Sequence, residues 1–290
     1  MRTLELDGGR ILEYAVGGPD DGIPLVMHHG TPSAAVLMDS MVAAAARHGL
    51  RAVLHSRPGY AGSSAQPGRS VAAVAGDVAA ILDDLGAERF VTVGWSGGGP
   101  HALASAALLS DRCAAAATIA GVAPYEAAGL DWLAGMGVEN VEEFGAAAAG
   151  VGPLTAYLDR EAEGLAAVQP AQIAAALGDL VSEVDRKALT GEFAENTAES
   201  FHAAMSTGIA GWRDDDLAFL APWGFALSAM TTPVSIWQGG EDRMVPFDHG
   251  RWLANAVPAA TVHLEPAEGH LSLLINNFER IVAELVTRTA

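Results

Sequence analysis

The sequence predicts an α/β fold, a mostly parallel, doubly wound sheet with an inserted helical cap, on three observations. Apolar strand-like runs alternate with alanine-rich, helix-like segments up to about Gly121. No strand pattern is visible from Val122 to Met230, and the pattern resumes at Pro233. Alternation of this kind suits parallel strands, whose crossovers need a helix to return the chain and cover the sheet. A chain of 290 residues that is 50% hydrophobic is long and apolar enough to bury such a core with an insertion.

Taken in order, strands are expected near Arg10 to Val16, Leu25 to His29, Ala52 to Ser56, Phe90 to Trp95 and Ala114 to Ala120. After the insertion, the runs from Val234 and from Thr261 to Leu264 complete the set. Within the insertion, pieces such as Pro170 to Leu177 have helical character but are broken by Gly and Pro, which predicts an all-helical unit. The boundaries that follow are a core of residues 1–121 and 231–290 and a cap of residues 122–230.

Gly94-Trp95-Ser96-Gly97-Gly98 joins the run Phe90 to Val93 to the helix-like segment that begins at Pro100. A serine on a sharp strand-to-helix turn is the setting of a nucleophile elbow, and the turn demands small residues two before and two after it. Gly94 and Gly98 meet that demand. A serine hydroxyl needs a base, and the base needs a carboxylate to hold its tautomer. In chains with such an elbow the order is serine, acid, histidine. Val234 to Gly240 reads as a buried strand and glycine turn that ends at Glu241-Asp242, and Glu265 to Gly269 as a loop that leads to His270. Of the nine histidines, His28, His29, His48, His55, His101 and His202 precede the acid, His249 follows it too closely, and His263 lies inside a strand. His270 is therefore the expected base.

An acyl-transfer site also needs two donors for an oxyanion, one from the residue after the nucleophile and one from an earlier loop. Gly97 supplies the first amide, and Thr31, after the run Ile23 to His29, supplies the second. His28 and His29 are adjacent on a strand and point to opposite faces, so they cannot readily share a metal ion; one is expected in the pocket wall, with no metal and no cofactor.

The stretches His29-Gly30-Thr31-Pro32, Arg57 to Ser63, the elbow, Gly239 to Pro246 and Gly269-His270 together resemble the α/β-hydrolase fold superfamily, in its serine-nucleophile branch with a helical cap. The resemblance implies Ser96, Asp242 and His270 as the triad, because a glycine turn, an Asp and then Val245-Pro246 is the arrangement this family repeats; Glu241 is the rival acid. Two departures are Ser33, where many relatives have glycine, and Ser56, where an Asp commonly precedes Arg-Pro-Gly. Ser96 in place of Asp argues against the dehalogenase and epoxide-hydrolase branches.

A carboxylesterase acting on a neutral, apolar acyl substrate is the expected activity. Similarity to proline iminopeptidases, enol-lactonases and carbon-carbon bond hydrolases, or to receptors of the same fold, supplies the alternatives.

The net charge of −19 disfavours nucleic acid and anionic membranes as partners, which leaves a small-molecule substrate. No apolar stretch approaches the ~18 residues of a membrane span, and Met1 to Asp7 has no signal-peptide core, so a cytoplasmic location is expected. The single Cys113 reads as a buried thiol. Seventeen acids against four bases fall between Val122 and Met230, which puts −13 of the charge in the insertion. Glu192, Glu195, Glu199 and Asp214-Asp215-Asp216 read first as solvated helix faces, and second as a lid that disfavours anionic substrates.

Overall fold

The computed structural model describes residues 1–288. Eight strands form one sheet: β1 (Arg2–Leu6), β2 (Arg10–Gly17), β3 (Ile23–His28), β4 (Leu50–His55), β5 (Phe90–Trp95), β6 (Cys113–Ile119), β7 (Val234–Gly239) and β8 (Thr261–Glu265). Their order is β1-β2-β4-β3-β5-β6-β7-β8. From β4 to β8 every pairing is parallel, whereas β1 pairs with β2 and β2 with β4 in the antiparallel sense. The strands expected from sequence are all present. The edge strand β1 was not anticipated, because five residues with only Leu4 and Leu6 half-buried carry too short an alternation to stand out.

The inner strands are apolar on both faces because both are covered. On one face α1 (Asp39–Arg47) and α11 (His270–Thr287) pack over Leu25, Val91, Val93, Ala117 and Trp237. On the other, α2 (Val74–Asp84), α3 (Gly98–Leu108) and α10 (Phe247–Ala256) bury Val26, Phe90, Ala116 and Ile236. Successive strand residues thus feed two different cores, as a period of two requires.

Between β6 and β7 the chain carries α4 (Val138–Ala149), α5 (Val151–Ala167), α6 (Ile173–Ala176), α7 (Glu183–Ala188), α8 (Gly191–Met205) and α9 (Ala210–Leu220), with no strand among the described residues. Their apolar faces continue the α2/α3 core through Phe144, Leu158, Phe201, Trp212 and Phe219, joined by Trp132 of the preceding loop. No helix among the described residues is long and apolar enough to cross a membrane.

Candidate active site

Strand β5 ends at Ser96, whose φ of 56° lies in the left-handed region that side-chain-bearing residues rarely adopt. The turn is held from both sides: the Ser96 N–H donates to the Ile119 carbonyl at 2.9 Å, and its own carbonyl accepts from the Gly99 N–H at 2.8 Å. A Cβ at Gly94 would collide with the Gly98 carbonyl, and one at Gly98 with the His28 carbonyl. The two flanking glycines are therefore required by backbone approach, and the half-buried serine is lifted to the rim of a cavity.

His270 opens α11 and is 1% exposed. Its Nδ1 donates to Asp242 Oδ2 at 2.9 Å, which leaves the Nε2 lone pair free to accept a proton. Asp242 is fixed in turn. Its Oδ1 accepts the N–H groups of Met244 and Val245 at 2.9 and 2.8 Å, and its Oδ2 accepts from Gln238 Nε2 at 3.1 Å. Its neighbour Glu241 is exposed. Ser96 and His270 line one cavity, and Trp95 leans on His270 with ring centroids 5.3 Å apart while its Nε1 donates to the His270 carbonyl.

The loop at Thr31 is governed by Arg57. The guanidinium donates to the carbonyls of His29 and Gly30 at 2.5 and 3.0 Å. In a trans peptide unit the C=O and N–H point opposite ways, so drawing the Gly30 carbonyl toward Arg57 aims the Thr31 N–H away from it. Gly30 and Gly97 are both close to this point: a Cβ on Gly30 would sit 3.4 Å from Ser96 Cβ, and one on Gly97 would strike the Thr31 side chain. The Thr31 side chain is engaged as well: its Oγ1 donates to Asp215 Oδ2 at 2.9 Å and accepts from Arg57 Nη2 at 3.0 Å.

The acidic run on α9 corrects an expectation. Asp214, Asp215 and Asp216 are at most 3% exposed and are not a solvated face. Trp212, Asp215, Asp216 and Phe219 have the i, i+3, i+4, i+7 spacing of an apolar stripe, so the run was placed inward by the helix period; that spacing was the available signal. Asp215 accepts from Arg57, Arg69, Tyr60 and Thr31. Burial would raise its pKa, but the guanidinium groups of Arg57 and Arg69 hold it well below the usual carboxylate range.

Asp185 was also missed. From α7, 85 residues away in the chain, its carboxylate accepts the N–H groups of His270, Leu271 and Ser272 at 2.8 to 2.9 Å. It thereby caps the helix that begins at His270.

Apart from the partly exposed His48, the remaining histidines are fixed or buried. His29 donates from Nδ1 to the Gly30 carbonyl and accepts the Arg57 N–H at Nε2. His249 accepts from the Ala123 N–H and donates to the Trp132 carbonyl. Burial lowers His28, His29 and His101 well below the ordinary value and His55 to about 3, so all four are neutral. Both His28 and His29 line the cavity, where one was expected.

The cavity has a volume of about 330 Å³. Its wall is mainly apolar, yet Glu139, Glu143, Glu161 and Asp216 line it, and no lysine or arginine does. Burial pushes Glu143 up to about 7 and Asp216 well above its ordinary value.

A family model for the α/β hydrolase fold matches residues 23–276. The chain is 35% identical to a non-heme chloroperoxidase of Streptomyces lividans over 152 residues, covering 51% of this chain and 55% of that protein. It is 35% identical to epoxide hydrolase B of Mycobacterium tuberculosis over 138 residues, covering 46% and 38%. The chain thus spans about half, or less, of the length of these curated relatives. A thermophilic esterase from Thermogutta terrifontis superposes with a TM-score of 0.71 at 19% identity, covering 100% of both chains. With an elbow of this geometry and a family match over most of its length, the chain belongs to the α/β hydrolase fold family.

Proposed function

We infer that the protein is a serine hydrolase of carboxylic esters, cofactor-independent, with residues 122–230 acting as a cap over the core. The observation that carries this reading is His270, locked by Asp242 through Nδ1 and lining the same cavity as Ser96 on its strained turn. Ser96 Oγ attacks the acyl carbon as His270 Nε2 takes its proton. The amides of Thr31 and Gly97 receive the developing oxyanion, and the imidazolium, stabilised by Asp242, returns the proton to the leaving alcohol. Water activated by the same histidine then releases the acid.

Asp185 and Asp215 are positioning residues in this scheme. The first fixes the start of α11 at His270, and the second, with Arg57, fixes the Thr31 loop. The cap thus holds both halves of the machinery.

The test is Ser96→Ala. Turnover of a short p-nitrophenyl ester should fall on the order of 10⁶ in kcat, and labelling by a fluorophosphonate probe should vanish. Substantial turnover in a clean variant preparation would remove Ser96 from the mechanism. A second reading, an aminopeptidase of proline-iminopeptidase type, is favoured by the cavity's carboxyl groups and its lack of cationic lining. Hydrolysis of aminoacyl arylamides faster than of matched esters would select it.

A further inference from the structure

The cavity does not stop at the elbow. It continues past Trp95 to the α1/α11 face of the sheet, where Leu54, Met27 and Val93 stand in one row across β4, β3 and β5. Met27 is paired with Leu54 on one side and with Val93 on the other, so the three side chains share a face and form a floor. Met41 of α1 and Leu274 and Phe278 of α11 line the same space.

Exposure gives the independent sign that this space is real. Met27 lies on an inner strand with both edges paired, beneath helices, and yet it is only half-buried. Val93 at 3% and Met41 at 8% also keep some surface deep in the fold. All three side chains line the cavity, so it offers their surface a space to open onto. Protein cores close such gaps to crystal-like density, and an unfilled one destabilises.

The six side chains that form this arm carry no nitrogen or oxygen atom, so nothing there could hold an ordered water or orient a polar group. Two of them are methionines, which re-pack around flexible chains. The opposite end of the cavity carries Glu139, Glu143, Glu161 and Asp216. The two ends therefore ask for different chemistry.

We propose that the arm between the sheet and α1/α11 binds the unbranched alkyl chain of the ester, the polar half of the substrate facing the carboxyl groups of the helical segment. This deepens the esterase reading and rests on it. Each further methylene buried should raise kcat/KM about fourfold until the arm is full.

The experiment compares p-nitrophenyl acyl esters from acetate to octanoate with alkyl acetates of the same lengths, on wild type, Val93→Phe and Met41→Ala. Wild type should gain with chain length in one series, which also tells whether the chain is the acyl or the alcohol half. In Val93→Phe the ratio of octanoate to acetate kcat/KM, or its alkyl acetate equivalent, should fall about 20-fold. Met41→Ala should move the optimum to longer chains, and it decides the matter if the phenylalanine variant fails to fold. No chain-length gain in either series, or an unchanged ratio and optimum in the variants, overturns the arm. Calorimetry of 1-octanol on Ser96→Ala, expected to weaken at least tenfold when Val93→Phe is added, separates the two ideas. Chain-dependent binding without any ester turnover in wild type would sink the esterase reading alone.

Discussion

Asp215 and Asp216 are neighbours on α9, both fully buried, and the fold gives them opposite characters. Asp215 faces the core, where Arg57, Arg69, Tyr60 and Thr31 donate to it, and it is held as an anion. Asp216 faces the cavity beside Glu143 of α4; burial and then the Glu143 charge raise its pKa well above the ordinary value, so the two carboxyl groups together retain a proton. A count of formal charges treats the two alike. What an acid contributes is decided by its partners, so the −13 of the insertion overstates the negative charge that a substrate meets.

A third buried acid extends the comparison to the loop after β7, and there the largest effect is expected. Asp242 is wrapped by three N–H donors and His270, while Glu241 beside it is exposed. Asp242→Asn should cost about 10⁴ in kcat by presenting the wrong histidine tautomer, and Glu241→Gln should leave kcat within about threefold. Steady-state kinetics on the two variants measures the contrast. Reversed effects would make Glu241 the orienting acid.

The next largest effect concerns α9 itself. Asp215→Asn removes the one anion between Arg57 and Arg69 and leaves two guanidinium groups buried and underpaired, which should cost about 3–5 kcal/mol. Asp216→Asn exchanges a protonated carboxyl for a neutral amide of the same shape, so stability should change by no more than about 1 kcal/mol. Urea unfolding midpoints at pH 7 give both numbers. Similar losses in the two variants would break the comparison on which the account of α9 stands.

The parts that were legible in the sequence are those set by local chemistry. The elbow follows from Gly94 and Gly98, and the sheet from apolar runs such as Phe90 to Trp95. His270 and Asp242, expected as partners from chain order and from the family's repeated Asp-to-Val-Pro arrangement, are hydrogen-bonded to each other although 28 residues separate them. Asp185 and Asp215 were not found, because their partners lie 85 and 158 residues away and nothing near Asp185 in the sequence marks it as a cap for α11. The apolar arm of the cavity was equally hidden, since it arises from the register of three strands against two helices that are distant in sequence.

The smallest effect tests the Glu143–Asp216 pair through pH. A carboxyl whose pKa is raised on folding keeps its proton in the native state after the unfolded chain has released it. Stability is then fully present below the unfolded value, 4.5 for Glu143, and is lost as pH rises through the folded value of about 7. For one such proton the loss should be about 1 kcal/mol between pH 6 and pH 7. In the double variant Glu143→Gln with Asp216→Asn neither side chain titrates, so this component of the slope should disappear while the rest of the profile is kept. Urea unfolding at half-unit steps from pH 5 to pH 8 on both proteins measures the difference. Parallel profiles would mean that the pair is ionised at neutral pH, and Asp216 would then be an anion like Asp215, facing the cavity with its charge intact.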